Sequence, residues 1–321
     1  MSNTQRNHMA LAIHGGCGVM NKADMPESEW QAARADLKRA LQAGWALLQQ
    51  GASALDAVEA AVMVMEDSEH FNAGHGAALN TQGDHELDAS IMDGNTLEAG
   101  AIAMARSIRN PICAARRLMH SGETVMLGAS AADAFARQSG LTMVDQSYFT
   151  TDRRVKALAS LKAHTAAGTA AQASEAEKHG TVGAVALDSH GHLAAATSTG
   201  GFNNKPAGRI GDTAVIGAGT YARDGVVAVS GTGKGEFFIR HAVGHEIASR
   251  MRYLGENLDD ACQHVVFNDL APHQIGAGLV AVGADGSVTA PYNTAGMFRG
   301  WIGPDGRMVV ASHDTLFEMH V

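Results

Sequence analysis

The stretch His179-Gly180-Thr181-Val182-Gly183-Ala184-Val185-Ala186-Leu187-Asp188 decides how the rest of the sequence is read. Val182 to Leu187 is an apolar run with the composition of a buried strand. Before it, His164 to Gly180 is rich in Ala, Thr, Ser, Glu and Lys and carries no apolar stripe. That segment has the weakest claim to order and is a natural place for a backbone nick. A threonine at this junction changes character if the Gly180–Thr181 bond is cut. Its hydroxyl then lies beside a free α-amine of pKa about 7.7–8.0, which can take the hydroxyl proton near neutral pH. Folding alone gives no reason for a loose segment just ahead of a core strand, whereas a processing site does.

Working outward, Val182–Leu187 and Leu193–Ser198 flank Asp188-Ser189-His190-Gly191 and predict a hairpin. A polar, glycine-containing loop covers Gly200–Asp212, and strands are expected over Ala214–Ala218 and Val226–Ser230. Gly231-Thr232-Gly233-Lys234-Gly235 leads into a long helix, Glu236–Leu254, closed by Gly255. A second helix over Leu258–Phe267 and a hairpin of Leu279–Val282 with Val288–Ala290 follow. Towards the N-terminus, Leu11–Ile13 reads as a strand ending in a turn at His14-Gly15-Gly16-Cys17-Gly18. Helices are predicted over Pro26–Gln50 and Ser53–Met65, the second opened by the capping pair Ser53 and Asp56. The loop from Met65 to Gly76 is too polar and glycine-rich for regular structure, and it either solvates its carbonyls or wraps a cation. His85–Gly94 and Ala99–Ala105 pair as strands; Pro111–Met119, Ala129–Gln138 and Asp152–Ala163 read as helices around a short strand at Val125–Leu127. Strands and helices in this order imply an α+β fold of sheets covered by helices rather than a βαβ repeat.

Composition removes several function classes. The chain has 321 residues, 45% hydrophobic and 18% charged, which is the balance of a globular protein with a large core. Its net charge is −9 with Lys and Arg scattered, so neither nucleic acid nor an anionic membrane is expected as partner. Three widely spaced cysteines, Cys17, Cys113 and Cys262, fit a reduced compartment rather than a disulfide framework or zinc finger. The run Met9–Ile13 is too short for a secretory h-region, and no stretch approaches membrane-spanning length, so a cytoplasmic location is expected.

Five short motifs now stand in order around one threonine: IHGGCG, HGTVGAVALD, the Thr199-Gly200-Gly201 run after LAAATS, GRIGD and SGTGKGE. Together, over residues 10–300, they resemble the plant-type asparaginase and isoaspartyl peptidase family of N-terminal-nucleophile hydrolases. The resemblance implies one four-layer αββα sandwich domain over 1–321, self-cleaved into subunits 1–180 and 181–321 that assemble as a dimer of αβ heterodimers. It implies that Thr181 attacks the Gly180 carbonyl, that the resulting ester is opened by water, and that the released amine is the base of each later turnover. Thr199 corresponds to the hydroxyl that orients the nucleophile, Thr232 and Gly233 to the oxyanion-stabilising pair, and Asn72 to a support of the nucleophile's surroundings. Arg209 and Asp212 correspond to a clamp for an α-carboxylate and an α-ammonium on one carbon, with Gly235 bordering that pocket. The implied substrates are L-asparagine and β-aspartyl peptides. The main-chain carbonyls of Met65, Glu66, Ser68, Phe71, Ala73 and His75 would form a structural sodium site. No organic cofactor is implied.

The sequence departs from the family pattern at Cys17, where a small alanine is usual, and at Lys234 inside the TGxG motif near the pocket mouth. Three other readings stay open at this point. One is glycosylasparaginase, with the same nucleophile; another is an inactive, unprocessed scaffold of the same fold. The third is a zinc hydrolase built on His241 and His245, four apart on an expected helix but without the glutamate of HExxH.

Overall fold

A computed structural model of the chain describes residues 8–18, 20, 25–167 and 180–320. Most of the expected 164–180 segment, residues 168–179, lies outside the described residues. Two sheets organise the molecule. The larger has nine strands in the order β13-β12-β11-β1-β5-β6-β2-β3-β4 and the smaller four, β10-β9-β8-β7. In the larger sheet β1 is Ala10–Gly18, β2 Leu87–Asp93, β3 Ala99–Ala105, β4 Met126–Gly128, β5 Val182–Leu187 and β6 Leu193–Thr199. Its other three strands are β11 Gly296–Ile302, β12 Arg307–Ala311 and β13 Leu316–His320. The smaller sheet contains β7 Thr220–Arg223, β8 Val227–Gly233, β9 Ala277–Gly283 and β10 Val288–Thr289. Pairing is antiparallel except between β3 and β4. The α+β class expected from the sequence therefore holds.

Strand alternation divides the core. Leu11 and Ile13 of β1, Val182 and Ala184 of β5 and Ala194 and Ala196 of β6 pack with helices α1 (Glu27–Gln49), α2 (Ala54–Glu66) and α3 (Pro111–Ser121). Their neighbours Ala10, Ala12, Val185, Leu187, Leu193 and Ala195 face the other way, against Val229, Val280 and Phe238. The hairpin β5–β6 turns on Asp188, whose Oδ1 accepts the amides of His190 (2.8 Å) and His192 (3.0 Å). Its Oδ2 accepts the Ala54 amide at 3.0 Å, so the last residue of the deciding motif also satisfies a donor at the start of α2. Ser53 and Asp56 form the predicted capping box there. Helices α4 (Ala129–Gln138) and α5 (Asp152–Ala166) also follow expectation.

Three expectations are corrected and one region is added. His14–Gly18 is not a turn: β1 runs through the glycines, with a bulge between His14 and Gly16 against β11. Ala214–Ala218 is a run of turns rather than a strand, folded around the Asp212 carbonyl, which accepts the amides of Val215 (2.9 Å) and Gly219 (3.2 Å). The single helix expected over Glu236–Leu254 is broken at Ala242, which is left-handed with φ 47°. The break lets the amides of Gly244 and His245 donate to the carbonyls of Ala218 and Gly217, so the second helix, Val243–Ser249, starts on that turn. Strands β11–β13 were not anticipated. Buried Arg299 interrupts the apolar pattern of β11, with its guanidinium donating to the carbonyls of Met297 and His313, both at 3.1 Å.

Candidate active site

The site forms where the start of β5, the end of β6 and the end of β8 meet. Thr181 is 7% exposed. Its Oγ1 lies 2.7 Å from the Gly180 carbonyl oxygen and 3.2 Å from Thr199 Oγ1. Thr199 Oγ1 accepts the Gly201 amide at 3.0 Å and donates to the same Gly180 oxygen at 3.1 Å. That leaves Thr199 a lone pair facing the Thr181 hydroxyl, so the two hydroxyls can run head to tail. Asn72 Nδ2 makes a third approach to the Gly180 oxygen, at 2.9 Å, and also donates to Gly201 O at 2.5 Å. The Asn72 amide orientation is fixed because its Oδ1 accepts the Ala78 amide at 2.6 Å. Two donors thus converge on a carbonyl next to the Thr181 hydroxyl, an arrangement able to stabilise a developing oxyanion.

Glycines allow this crowding. Gly180 has φ 155°, and a Cβ there would lie 2.9 Å from Asn72 Cβ. Gly16 has φ 105°, and its Cβ would fall 2.9 Å from Gly180 Cα and 3.2 Å from Thr181 N. Gly16 is therefore required by the close approach of β1 to the junction, whereas Gly15 is required by Phe71, whose ring a Cβ would meet at 2.5 Å.

His14 is a site residue that sequence reasoning missed. It is fully buried, and its Nδ1 and Nε2 meet Thr181 O (3.1 Å) and Ser230 Oγ (2.9 Å). Burial pushes its pKa down to about 3, against the raising effect of the Thr181 carbonyl, so the ring is neutral. A carbonyl can only accept, hence Nδ1 carries the proton and Nε2 accepts from Ser230. Ser230 Oγ is in turn 2.7 Å from Thr197 Oγ1. These partners stand 167 and 216 residues from His14, so local pattern gave no signal.

Thr232 reaches the site through β1. Its Oγ1 accepts the Cys17 amide at 3.4 Å, and Cys17 Sγ donates to Thr232 O at 3.4 Å. With its oxygen occupied by an amide, the Thr232 hydroxyl proton is turned elsewhere. Gly233 follows with φ 149°; a Cβ would meet Gly276 O at 2.6 Å. Burial pushes the Cys17 thiol up to about 12, outweighing its Thr232 and Thr294 contacts, so it is no nucleophile.

Arg209, Asp212 and Gly235 also come together. A Cβ on Gly235 would lie 2.5 Å from Asp212 Oδ1 and 2.9 Å from Arg209 Nη2. Asp212 is buried and its Oδ2 has no hydrogen-bond partner. Burial raises its pKa to about 7, with Glu236 and Asp88 adding to the rise and its own backbone and Arg209 opposing it. An orphaned buried carboxylate oxygen suits an incoming ammonium. The Arg209 guanidinium is held by Glu236 through Nε (3.0 Å) and Nη2 (3.1 Å) and lies over Phe202. The Nη1 edge remains for a second anion. The clamp loop is anchored by groups the sequence reading passed over. Gly208 N donates to the Glu86 carboxylate at 3.1 Å, Gly211 N to Asp88 Oδ2 at 3.3 Å, and fully buried Lys205 to Glu86 O at 2.8 Å.

The expected cation loop bends at Gly74 (φ 50°) and Gly76 (φ 90°). A Cβ on Gly74 would lie 2.4 Å from Glu66 O, and one on Gly76 2.9 Å from both Glu69 O and Phe71 O. Main-chain oxygens therefore crowd the inside of the bend. Met65 O and Glu66 O each accept one amide, from Ser68 (3.3 Å) and His75 (2.7 Å), which leaves each a further lone pair. Arg153 donates to two carbonyls of the same loop, Glu69 and His70, both at 3.0 Å. A neutral carbonyl cradle fits a hard monovalent cation. The other metal reading finds no pair: His241 and His245 lie on the separate helices Gly235–His241 and Val243–Ser249. His241 Nε2 instead meets His273 Nε2 at 3.2 Å, and His245 Nδ1 meets Ser249 Oγ. Among the described residues no helix is long and apolar enough to cross a membrane.

Comparison with known proteins adds an independent finding. A family model described as Asparaginase matches residues 7–311. The chain is 43% identical to an isoaspartyl peptidase of Salmonella typhimurium over 298 residues, 92% of this chain and 95% of that protein. It is similarly 43% identical to an isoaspartyl peptidase of Escherichia coli, covering 91% of this chain and 92% of the relative. A probable isoaspartyl peptidase/L-asparaginase 2 of Arabidopsis thaliana is 39% identical, covering 94% and 98%.

Proposed function

The chain belongs to the asparaginase family matched across residues 7–311, and we propose that it is a hydrolase of the side-chain amide of L-asparagine and of β-aspartyl peptides. The observation that carries the reading is the convergence of Thr181 Oγ1, Thr199 Oγ1 and Asn72 Nδ2 on the Gly180 carbonyl oxygen. In the intact chain the Thr181 hydroxyl attacks the Gly180 carbonyl carbon, and Thr199 and Asn72 donate to the oxygen as negative charge develops. The hydroxyl proton passes to the Thr181 nitrogen as the peptide C–N bond breaks, leaving an ester that water opens. Residues 181–321 then begin with a free amine.

In turnover that amine takes the Thr181 proton, and the hydroxyl attacks the substrate's side-chain carbonyl. The Thr232 hydroxyl and the Gly233 N–H receive the oxyanion, each contributing roughly 2.7–4 kcal/mol to lowering the barrier. Arg209 takes the α-carboxylate and Asp212 the α-ammonium, with Gly235 leaving room between them. Ammonia or an amine departs, and water releases aspartate from the ester. The carbonyls of Met65, Glu66, Ser68, Phe71, Ala73 and His75 would hold a sodium ion, whose charge would fix the loop that carries Asn72.

The finer architecture is a four-layer αββα sandwich of the N-terminal-nucleophile type, in one domain over 1–321. The division of the core between two sheets and two sets of helices supports it. Assembly as a dimer of αβ heterodimers in the cytoplasm completes the proposal.

A denaturing gel with N-terminal sequencing tests the mechanism class. Two bands are expected, the smaller starting Thr-Val-Gly. An active enzyme that runs as one unbroken chain overturns the proposal. Turnover of glycosylated asparagine in preference to a β-aspartyl dipeptide would move the assignment to glycosylasparaginase.

A further inference from the structure

Three consecutive residues border the proposed pocket, and they do not play the same part. Gly233 is pressed against Gly276 O and Ala277 Cα, and Gly235 against Asp212 and Arg209. Neither has room for a side chain. Lys234, between them, is exposed and carries its chain outward. Its Nζ lies 5.8 Å from the centre of the Phe237 ring. Arg240 approaches the same ring at 5.0 Å, and His273 packs on it with centroids 4.7 Å apart. His273 in turn meets His241. Two permanent cations and one imidazole, itself backed by His241, therefore surround one aromatic plate beside the oxyanion residues. Glu236 is the nearby carboxylate, and Arg209 already engages it. Burial raises the Glu236 carboxyl, but the Arg209 hydrogen bonds and the charges of Arg209 and Lys234 outweigh it and hold it below the usual carboxylate range.

We infer that Lys234, standing on the Phe237–Arg240 platform, recognises the leaving group and selects β-aspartyl peptides whose departing residue carries a free carboxylate. The inference rests on the hydrolase reading above and deepens it. With the aspartyl α-groups at Arg209 and Asp212 and the scissile carbonyl at Thr232 and Gly233, the departing amine lies on the far side of the carbonyl from the clamp. In a β-aspartyl dipeptide that nitrogen belongs to an α-amino acid, so a carboxylate follows one carbon later. Free asparagine releases ammonia and offers no such group. The Phe237 face supplies apolar surface for the departing side chain, and the cations supply the charge complement.

The test compares β-aspartyl-phenylalanine with its C-terminal amide, which keeps the shape and removes the charge. The unsubstituted enzyme should favour the acid about three- to fivefold in kcat/KM, the scale of one solvent-exposed ion pair. Lys234→Gln should bring that ratio close to one, and raising KCl to about 0.5 M should shrink it in the unsubstituted enzyme. Because the ratio is taken within each protein, a general loss of activity cancels. A preference for the acid that Lys234→Gln leaves in place, or an unsubstituted enzyme with no preference, overturns the role of Lys234 while the hydrolase reading stands. Failure to cleave the acid, the amide and asparagine alike overturns the reading of the site itself.

Discussion

The two ends of the site are built differently. Around Thr181 the polar groups are mutually engaged: Asn72, Thr199 and Gly201 interlock on the Gly180 carbonyl, and His14 holds the Thr181 carbonyl. Around Asp212 a buried carboxylate oxygen has no partner, and Arg209 is occupied by Glu236. The first end already contains what it would act on under the proposed self-cleavage, the chain's own Gly180–Thr181 bond. The second is a charged socket whose complement must come from solution. On the proposed mechanism the site would cut itself before it cuts a small molecule, and would need both kinds of order, one complete at folding and one completed by ligand.

The comparison is broken most severely at Thr181. Thr181→Ala should leave a single full-length band and lower amide hydrolysis by about 10⁴-fold or more, since it removes the proposed nucleophile. Next come paired substitutions that should separate the two ends. Asn72→Ala removes one donor to the Gly180 oxygen and should slow appearance of the smaller band by about 10²–10³-fold on a gel time course. Asp212→Asn should leave that time course near normal and lower kcat/KM for β-aspartyl peptides by about 10²-fold or more, as a ligand's ammonium loses the unpartnered carboxylate oxygen of Asp212. If both variants affect cleavage and turnover equally, the division is wrong.

A pH titration sharpens the same contrast. Asp212 is raised to about 7 and must be ionised to receive an ammonium, so kcat/KM should fall as pH drops through 7, approaching tenfold per unit. Asp212→Asn should remove that ionisation from the profile. The smallest effect is expected at Cys17. Its contact to the Thr232 hydroxyl is made by the main chain, so Cys17→Ala should keep kcat within about twofold and cost about 1 kcal/mol in denaturant unfolding, the scale of an ordinary substitution.

How far the sequence carried depended on the distance between partners. The β5–β6 hairpin was legible because its period and its turn lie within one short window, and α2 because Ser53 and Asp56 are neighbours. The break at Ala242 was not, because its cause is a turn more than twenty residues upstream that captures two amides. Strand β11 was hidden by Arg299, whose charge is satisfied by carbonyls that no local pattern predicts. In the site, Thr181, Thr199 and Asn72 were reached through family resemblance, since residue type alone would have left them a strand threonine, another and a turn asparagine. His14, Ser230 and Glu236 were passed over: the first two meet across the sheets, and Glu236 shows its use only once Arg209 is placed against it.

Strand β1 lies between β5 and β11, and β2 pairs with β6, so material from before and after Gly180 alternates across the large sheet. A cut at that bond would free an end without freeing a fragment, because three hydrogen-bonded seams still join the two pieces. The same interleaving makes the damage of full unfolding hard to undo. Once the seams part, refolding ceases to be a first-order event and becomes an encounter between two chains, increasingly rare as the protein is diluted. The working lifetime of the processed enzyme would then be set by how slowly the sheet unzips, not by the depth of its equilibrium well.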